Sequence, residues 1–453
     1  MLGFIFLLAH GAAAQSKDWR PISAEERSFT VGKVDKDADA EAIFWETRID
    51  DSSSEKLTQR HYVRIKILNE RGREKYSKVD IPFIKGVTSI KELSARVTKP
   101  DGTSVEIGKS DIFEREIVKA SGIKVRAKSF AVPNIEAGVI VEYRYKQTTD
   151  DGSAKGMRLD FQKDIPVQTL SYYYKPYNKN EPKTQGYNFT DSTKFVKDED
   201  GYYLAQRTNV PAFKEESQMP PANNVRPWML LTGAQFAITE LNSFNISFVV
   251  KDPSNPRAYW GGVAAEKGRI ITILSDVAKE IKKTTEEVIA GATSDEDKIR
   301  RIYDYCQTKI NNTTYDPTLT DEMRAKLPTQ KTYKDIIKQA SGSYSTINRL
   351  FAAMAIGAGF DVRYVISGDR SEMFFDPKMT NEDLVSFAGI GIKMGDDYRI
   401  FNPGIKFAPY GVLPWFRSDV WAMYIGEKME LEKDARTNAG GWQRNAQSHR
   451  QAQ

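Results

Sequence analysis

The chain is poor in the residues that most often carry chemistry. Its 453 residues include one cysteine, Cys306, and three histidines, His10, His61 and His449. A single thiol excludes an internal disulfide, so the cores must be held by burial alone. His10 falls in an apolar leader-like stretch and His449 in a polar C-terminal run, which leaves His61 alone within patterned sequence. That supply excludes the common Cys/His zinc sites. There is no EF-hand loop, P-loop or dinucleotide fingerprint, so neither metal nor cofactor is expected. Beyond the leader, no run is apolar over the length a membrane-spanning helix requires. Charge of one sign is lacking too. The 66 basic and 61 acidic side chains leave a net charge of +5. No basic block has the clustering of a nucleic-acid footprint.

What is present describes a globular chain of two or three domains. Hydrophobic residues make up 40% and charged residues 28%, a balance ordinary for folded proteins. The opening "MLGFIFLLAHGAAAQ" reads as a signal peptide over residues 1–14 with cleavage before Gln15, predicting an exported protein, periplasmic or extracellular. After an N-terminal segment (15–39), residues 40–258 are dominated by short extended runs. "HYVRIKIL" (61–68) alternates, "SARVTKPDGTSVEI" (94–107) places a Pro-Asp-Gly turn between two strands, and "GVIVEYRYK" (138–146) and "TLSYYYKPY" (169–177) continue the pattern. A β-sandwich-type region of one or two subdomains is expected.

From residue 259 to 432 the pattern becomes α+β. Ser294 with Asp297 opens a helix whose Ile299, Ile302, Tyr303, Cys306 and Ile310 form one apolar stripe. A further helix is expected from about Ile347 to Gly357, followed by strands "VRYVIS" (362–367), "FAGIGIKM" (387–394) and "YRIF" (398–401), the last two joined at an Asp-Asp turn. Residues 433–453 read as a polar tail without order.

Three C-terminal stretches, "KIRRIYDYCQTKI", "GSYSTINRLFAAMAIGAGFDVRYV" and "AGIGIKMGDDYRIFNPG", resemble the bacterial transglutaminase-like domain of the papain-like superfamily. The stretches "VRIKILNERGREK", "ARVTKPDGTSVEI" and "FAVPNIEAGVIVEYRYK" resemble the uncharacterised β-rich domain that commonly precedes it in exported bacterial proteins. The resemblance implies a particular chemistry. A cysteine at a helix N-terminus is held as thiolate by the helix dipole and an imidazole. A histidine on a following strand acts as base, and an aspartate on the next strand orients it. Those positions map onto Tyr344, onto Phe387 or Ala388 (with Ala388 taken as the histidine position), and onto Asn402 before Pro403.

All three are substituted. Tyrosine is protonated at neutral pH and is a poor acyl nucleophile. No histidine lies between Tyr62 and Ser448 to activate one. Ser343 and Ser345 flank the lost position, but a serine without a base is inert. No catalytic residue is therefore assigned. Gly342, Ser343, Ser345, Phe387 and Trp415 are the candidates for lining a remnant cleft, with Tyr344 either filling it or helping to line it.

Other candidates carry blander readings. Cys306 sits on an apolar stripe, as a buried inert thiol does. His61 reads as a surface or sheet-edge histidine. Asp376 with Glu382 and Asp383 offers a two-carboxylate reading without a fixed separation. The expectation is a non-catalytic, exported pseudoenzyme that binds or scaffolds at the cell envelope, its partner a peptide, glycan or protein. Two alternatives stay open: a thiol hydrolase or acyl transferase with a rearranged site, and carbohydrate or protein binding through the β-rich region.

Overall fold

The computed structural model describes residues 19–120, 123–232, 235–241, 246–314, 316–426 and 442–444. The leader reading lies outside these residues. Strands β1 (Ala40–Asp50), β2 (Lys56–Ile67), β3 (Lys78–Ile84), β4 (Thr88–Thr98), β5 (Ser104–Glu106), β6 (Phe113–Ala120), β7 (Ile123–Ala131) and β8 (Ile140–Asp150) come first. Then follow β9 (Arg158–Asp160), β10 (Val167–Lys175), β11 (Lys183–Tyr187), β12 (Val196–Lys197), β13 (Tyr203–Val210), β14 (Trp228–Thr232), β15 (Gln235–Leu241) and β16 (Ile246–Lys251). A short helix, α1 (Ala24–Ser28), precedes these strands, and another, α2 (Glu70–Tyr76), lies between β2 and β3.

Eight strands form one sheet in the order β12-β13-β10-β1-β2-β8-β4-β5, and two three-stranded sheets have the orders β3-β7-β6 and β11-β14-β9. The period of two decides which residues meet. Val63, Ile65 and Ile67 of β2 are buried with Ile49, Val97, Val141 and Leu170 of neighbouring strands, against Ile81 and Phe130 of one small sheet and Leu159, Met229 and Leu231 of the other. Sheets packed face to face around one core answer the sandwich expectation. The Pro-Asp-Gly turn joins β4 to β5 as expected, with Gly102 at φ 93° and its N–H donating to Lys99 O at 2.9 Å.

The alternate residues of the large sheet face the other way, and part of that face is covered. Residues 19–29 cross it. Arg64 donates to Glu142 Oε1 at 2.9 Å, to Glu26 Oε1 at 2.8 Å and to Arg20 O at 2.8 Å. Lys66, fully enclosed, donates to Arg27 O at 2.6 Å and Gly138 O at 2.7 Å. Glu41, opposite it in β1, gives its carboxylate to Val34 N and Gln168 Nε2, and burial pulls the Lys66 ammonium down to about 8.

His61 departs from its surface or sheet-edge expectation. β2 is an interior strand, and on the core face the imidazole stacks on Tyr145 with centroids 4.4 Å apart. Alternation alone does not say whether a strand is interior or edge; the pairing of β2 with both β1 and β8 does.

The C-terminal half opens with α3 (Pro256–Glu280), capped by the Asn255 side chain with Pro256 at the position where its missing N–H costs nothing. After α4 (Lys282–Ile289), α5 (Asp295–Thr308), β17 (Asn311–Asn312), α6 (Asp321–Ala325), α7 (Tyr333–Gln339) and β18 (Ser341–Gly342) comes α8 (Tyr344–Gly357). A five-stranded sheet follows, ordered β21-β20-β19-β22-β23 and built from β19 (Val362–Gly368), β20 (Val385–Met394), β21 (Asp397–Phe401), β22 (Trp421–Ile425) and β23 (Trp442–Arg444). Ile299, Ile302, Tyr303, Cys306, Leu350, Phe351 and Met354 pack against Ile390, Ile392 and Phe401. Among the described residues, no helix is long and apolar enough to cross a membrane.

Three expectations are corrected here. Helix α8 begins at Tyr344, three residues before Ile347, because Ser343 caps it by accepting from Thr346 N at 3.2 Å. The β20–β21 turn is at Gly395 and Asp396, with Gly395 at φ 68°, and Asp397 already belongs to the strand. The polar tail is not wholly without order. Trp442–Arg444 adds an edge strand to β22, and Trp442 is fully buried between Trp260 and Phe375, at 5.0 and 4.9 Å. A lone tryptophan among polar residues finds its apolar partners only through tertiary contact.

The two halves meet at the β19–β20 loop. Met373 packs with Tyr187, Trp228 and Leu230 of the β11-β14-β9 sheet. Within the C-terminal half, Trp260 Nε1 donates to Pro377 O at 2.7 Å and holds this loop. Lys251 holds Glu266 at 2.7 Å and Glu382 at 3.0 Å.

Candidate functional site

The site is assembled at the start of α8. Helix α7 stops at Ala340, in the left-handed region at φ 48°, and the chain pairs Ser341–Gly342 in parallel with Asn311–Asn312 before turning into α8. Tyr344 is thereby the first helical residue. Its backbone N–H, one of the donors a helix start leaves unsatisfied, donates to Thr314 Oγ1 at 2.9 Å.

Asn402, just past β21, reaches the Tyr344 side chain. Its Nδ2 donates to the Tyr344 hydroxyl at 2.9 Å and to Ala388 O at 3.0 Å, while Oδ1 is buried without a hydrogen-bond partner among the described residues. The edge of Phe387 meets Tyr344, centroids 6.2 Å apart at 81°, and Phe387 also lies 4.8 Å from Tyr364.

Ala388, one of the two residues that the resemblance places at the histidine position, faces away from Tyr344. Its methyl packs with Val365, Ile400, Leu413 and Ala422 on the opposite side of the sheet. Counting in twos back from Ile392 and Ile390 would turn Ala388 toward α8. The β19–β20 register shifts between Val365 and Ile366, so that Val365 opposes Gly389 and Ile366 opposes Phe387. Gly389 makes this bulge at φ 152°, where an added Cβ would stand 2.6 Å from Phe401 O. Bulges commonly re-aim side chains beside sites.

Beneath the helix start, Asn348 Nδ2 donates to Tyr344 O at 3.1 Å and Asn348 Oδ1 accepts from Gly404 N at 3.3 Å. Asn312 Nδ2 donates to Gly404 O at 2.7 Å. Gly404 allows this approach, since a Cβ there would meet Asn348 and lie 2.6 Å from Tyr344 O.

On the strand side, Arg417 donates to Ser367 O at 2.9 Å, Gly368 O at 3.0 Å and Ser386 Oγ at 2.5 Å. Burial lowers its pKa, and the Asp369 carboxylate, 3.9 Å away, offsets part of that. Sequence reasoning missed Asn348, Gly404 and Arg417. Nothing local marks Arg417, which reaches Ser386 across 31 positions of chain.

The remaining candidates divide. Gly342 is buried under the helix start, and Ser343 is its cap. Ser345 is exposed, and its side chain makes no hydrogen bond to a described residue. Trp415, 53% exposed, touches Phe416 and Arg370 and is not brought to Tyr344. Two of the three acidic candidates are engaged within the fold. Glu382 is held by Lys251, and Asp376 caps Lys378 N at 2.8 Å.

Chemically, the cluster offers a hydroxyl bonded to an amide, with a phenyl ring beside it. An amide does not accept a proton from tyrosine, so nothing in this cluster activates a nucleophile. The Cys306 thiol is fully buried and pushed up by desolvation, the reverse of a stabilised thiolate. His61 Nδ1 sits 3.2 Å from Thr47 Oγ1, Nε2 is enclosed without a partner among the described residues, and burial with the nearby Lys163 ammonium lowers the ring to about 4. Among the described residues, no cluster of three or more His, Cys, Asp or Glu could hold a metal ion.

Two family models match the chain. A domain of unknown function, DUF3857, matches residues 53–214, and the transglutaminase-like superfamily matches residues 282–382. The chain thus carries a DUF3857 domain followed by a transglutaminase-like domain. The crystal structure of a "putative protease" from Parabacteroides distasonis is similar over 86% of this chain and 72% of its own, at 14% identity and a TM-score of 0.51. A "putative cysteine protease" from Cytophaga hutchinsonii aligns over 83% of this chain and 82% of its own, at 10% identity and a TM-score of 0.23. The first likeness extends the shared fold across both halves. No protein of curated function matches the chain in sequence.

Proposed function

We propose that this chain is a non-catalytic transglutaminase-like protein whose thiol site has become a structural contact, and that it acts by binding or scaffolding at the cell envelope. One observation carries the reading: the Tyr344 hydroxyl, at the helix start where the family resemblance calls for a thiolate, is tied to Asn402, with Phe387 where a base would stand. Tyr344, Phe387 and Asn402 are then the substituted nucleophile, base and orienting positions. The superfamily match ends at residue 382, so the last two assignments rest on geometry and on the resemblance. The envelope location rests on the leader pattern at residues 1–14.

Both structural relatives are named as proteases, which sets the substrates for a test. The purified chain is incubated with casein and with a fluorogenic isopeptide, and no hydrolysis or acyl transfer is expected. Turnover that Cys306→Ala abolishes would overturn the proposal. The triple variant Tyr344→Cys/Phe387→His/Asn402→Asp is expected to gain a thiol that iodoacetamide alkylates below the ordinary thiol pKa. Tyr344→Cys alone should titrate as an ordinary cysteine.

A further inference from the structure

Charge that is scattered along the sequence is gathered by the register of the large sheet. On its outer face, one rung runs Phe44, Arg64, Glu142, Arg96, Glu106 across five neighbouring strands. Its charges alternate, and residues 19–29 cover it. Two rungs away the order is Tyr173, Arg48, Arg60, Lys146, Lys91, again directly opposite one another. Four cations occupy four adjacent strands without a carboxylate between them in register. Like charges directly opposite destabilise a sheet, so packing gives no reason for this row.

The row is also prepared. Arg48 stacks on Tyr173 at 3.9 Å, with Tyr202 at 5.6 Å, and its Nε is held by Glu46 at 3.0 Å. Its terminal nitrogens and the Lys91 ammonium bond to no described residue. The carboxylate serving Arg60 and Lys146, at 3.0 and 3.6 Å, is Glu92, which a bulge inserts at φ 54°. Such strain on a non-glycine residue is commonest at functional sites.

We propose that this rung binds a linear anionic glycan, a chain bearing a carboxylate on each sugar. Strands lie about 4.8 Å apart, so the four cations span roughly 14 Å in a line, which suits a linear polyanion. Tyr173 and Tyr202 stand at one end of the row, beside Arg48. The Trp19 indole, over Arg96 at 4.9 Å and Arg144 at 4.5 Å, stands beside the row. Arg48 and Lys146 are recessed, their side chains 27% and 25% exposed. Arg60, 40% exposed, and Lys91 stand further out, so an occupant narrow enough to follow a single line across the strands reaches all four. The face belongs to the β-rich region and stands independently of how Tyr344 is read.

The test is affinity electrophoresis of the full chain at low salt through gels containing polygalacturonate, with dextran as the neutral control. Retardation by polygalacturonate alone, lost at high salt, is expected. Arg48→Gln/Lys91→Gln should weaken binding by about tenfold or more with an unchanged thermal melt. Should the double variant not fold, Lys91→Gln alone, at an exposed side chain, should show weaker retardation. No retardation, equal retardation of wild type and variant, or tighter binding to phosphatidylglycerol vesicles or single-stranded DNA would overturn the proposal.

Discussion

Acid should destabilise this protein through His61. The imidazole lies flat on Tyr145, its Nε2 has no described partner, and the Lys163 ammonium faces it, so the folded ring resists protonation until about pH 4. In the unfolded chain the same group titrates near its ordinary value of about 6.5. The sign follows from linkage. Above the unfolded pKa neither state is protonated and His61 contributes no pH dependence. Between the two values the unfolded state alone takes up the proton, so stability falls as pH falls. Below the folded pKa both states are protonated and the loss levels off.

From about pH 7.5 to about pH 4.5 the loss is about 2.5 kcal/mol, a large share of a typical folding free energy. The perturbation is His61→Phe, which keeps a ring to stack on Tyr145 and removes the titration. Urea unfolding of both proteins across that range, read as the difference between them, is the assay. Carboxylates such as Asp80, held down to about 2 chiefly by its hydrogen bond to Arg115, contribute equally to both proteins and cancel. The variant's stability should fall with acid by about 2.5 kcal/mol less than the wild type's. Parallel curves would refute the reasoning, because they would mean that His61 titrates alike in the folded and unfolded states.

Cys306 should resist iodoacetamide in the native protein from about pH 5 to about pH 9 and react fully in urea, since burial raises its thiol. Labelling of the native protein at the acid end would mean a stabilised thiolate. Trp442→Ala should cost about 3–5 kcal/mol by urea unfolding, since it empties the space between Trp260 and Phe375. A cost near zero would mean that β23 does not contribute to the folded core. Gly404→Ala should cost about 1–3 kcal/mol, because its methyl would press on Asn348 and on Tyr344 O. A Tm equal to wild type would show that the loop under α8 yields freely.

Much of the fold was legible in sequence because it depends on local period and turn chemistry. The stripe of Ile299, Ile302, Tyr303 and Cys306 forms the buried face of α5, and the Pro-Asp-Gly hairpin forms where those residues stand. The start of α8 was less legible. Ser343 is a good cap, but the apolar pattern begins only at Ile347. At the site, sequence named Tyr344 and Asn402, which meet through a hydrogen bond. It left Phe387 and Ala388 as alternatives, and a bulge that period-two counting cannot foresee turns Ala388 away from Tyr344.

The sequence by itself determined how few thiols and imidazoles this chain has to work with. With one cysteine and three histidines, two of them outside the described residues, no arrangement of this chain can rebuild a thiol–imidazole pair at Tyr344 unless a distant end reaches in. Composition holds under any fold. Juxtaposition does not, and tertiary structure alone decided it. Strand register lined up Arg48, Arg60, Lys146 and Lys91, which are scattered over nearly a hundred positions, and alternated the charges of the rung under residues 19–29. It also moved His61 from a supposed edge to an interior strand, and it found in Trp260 and Phe375 the partners that bury Trp442. Cross-strand neighbours are fixed by hydrogen bonds between distant segments, and no property of either segment alone records them.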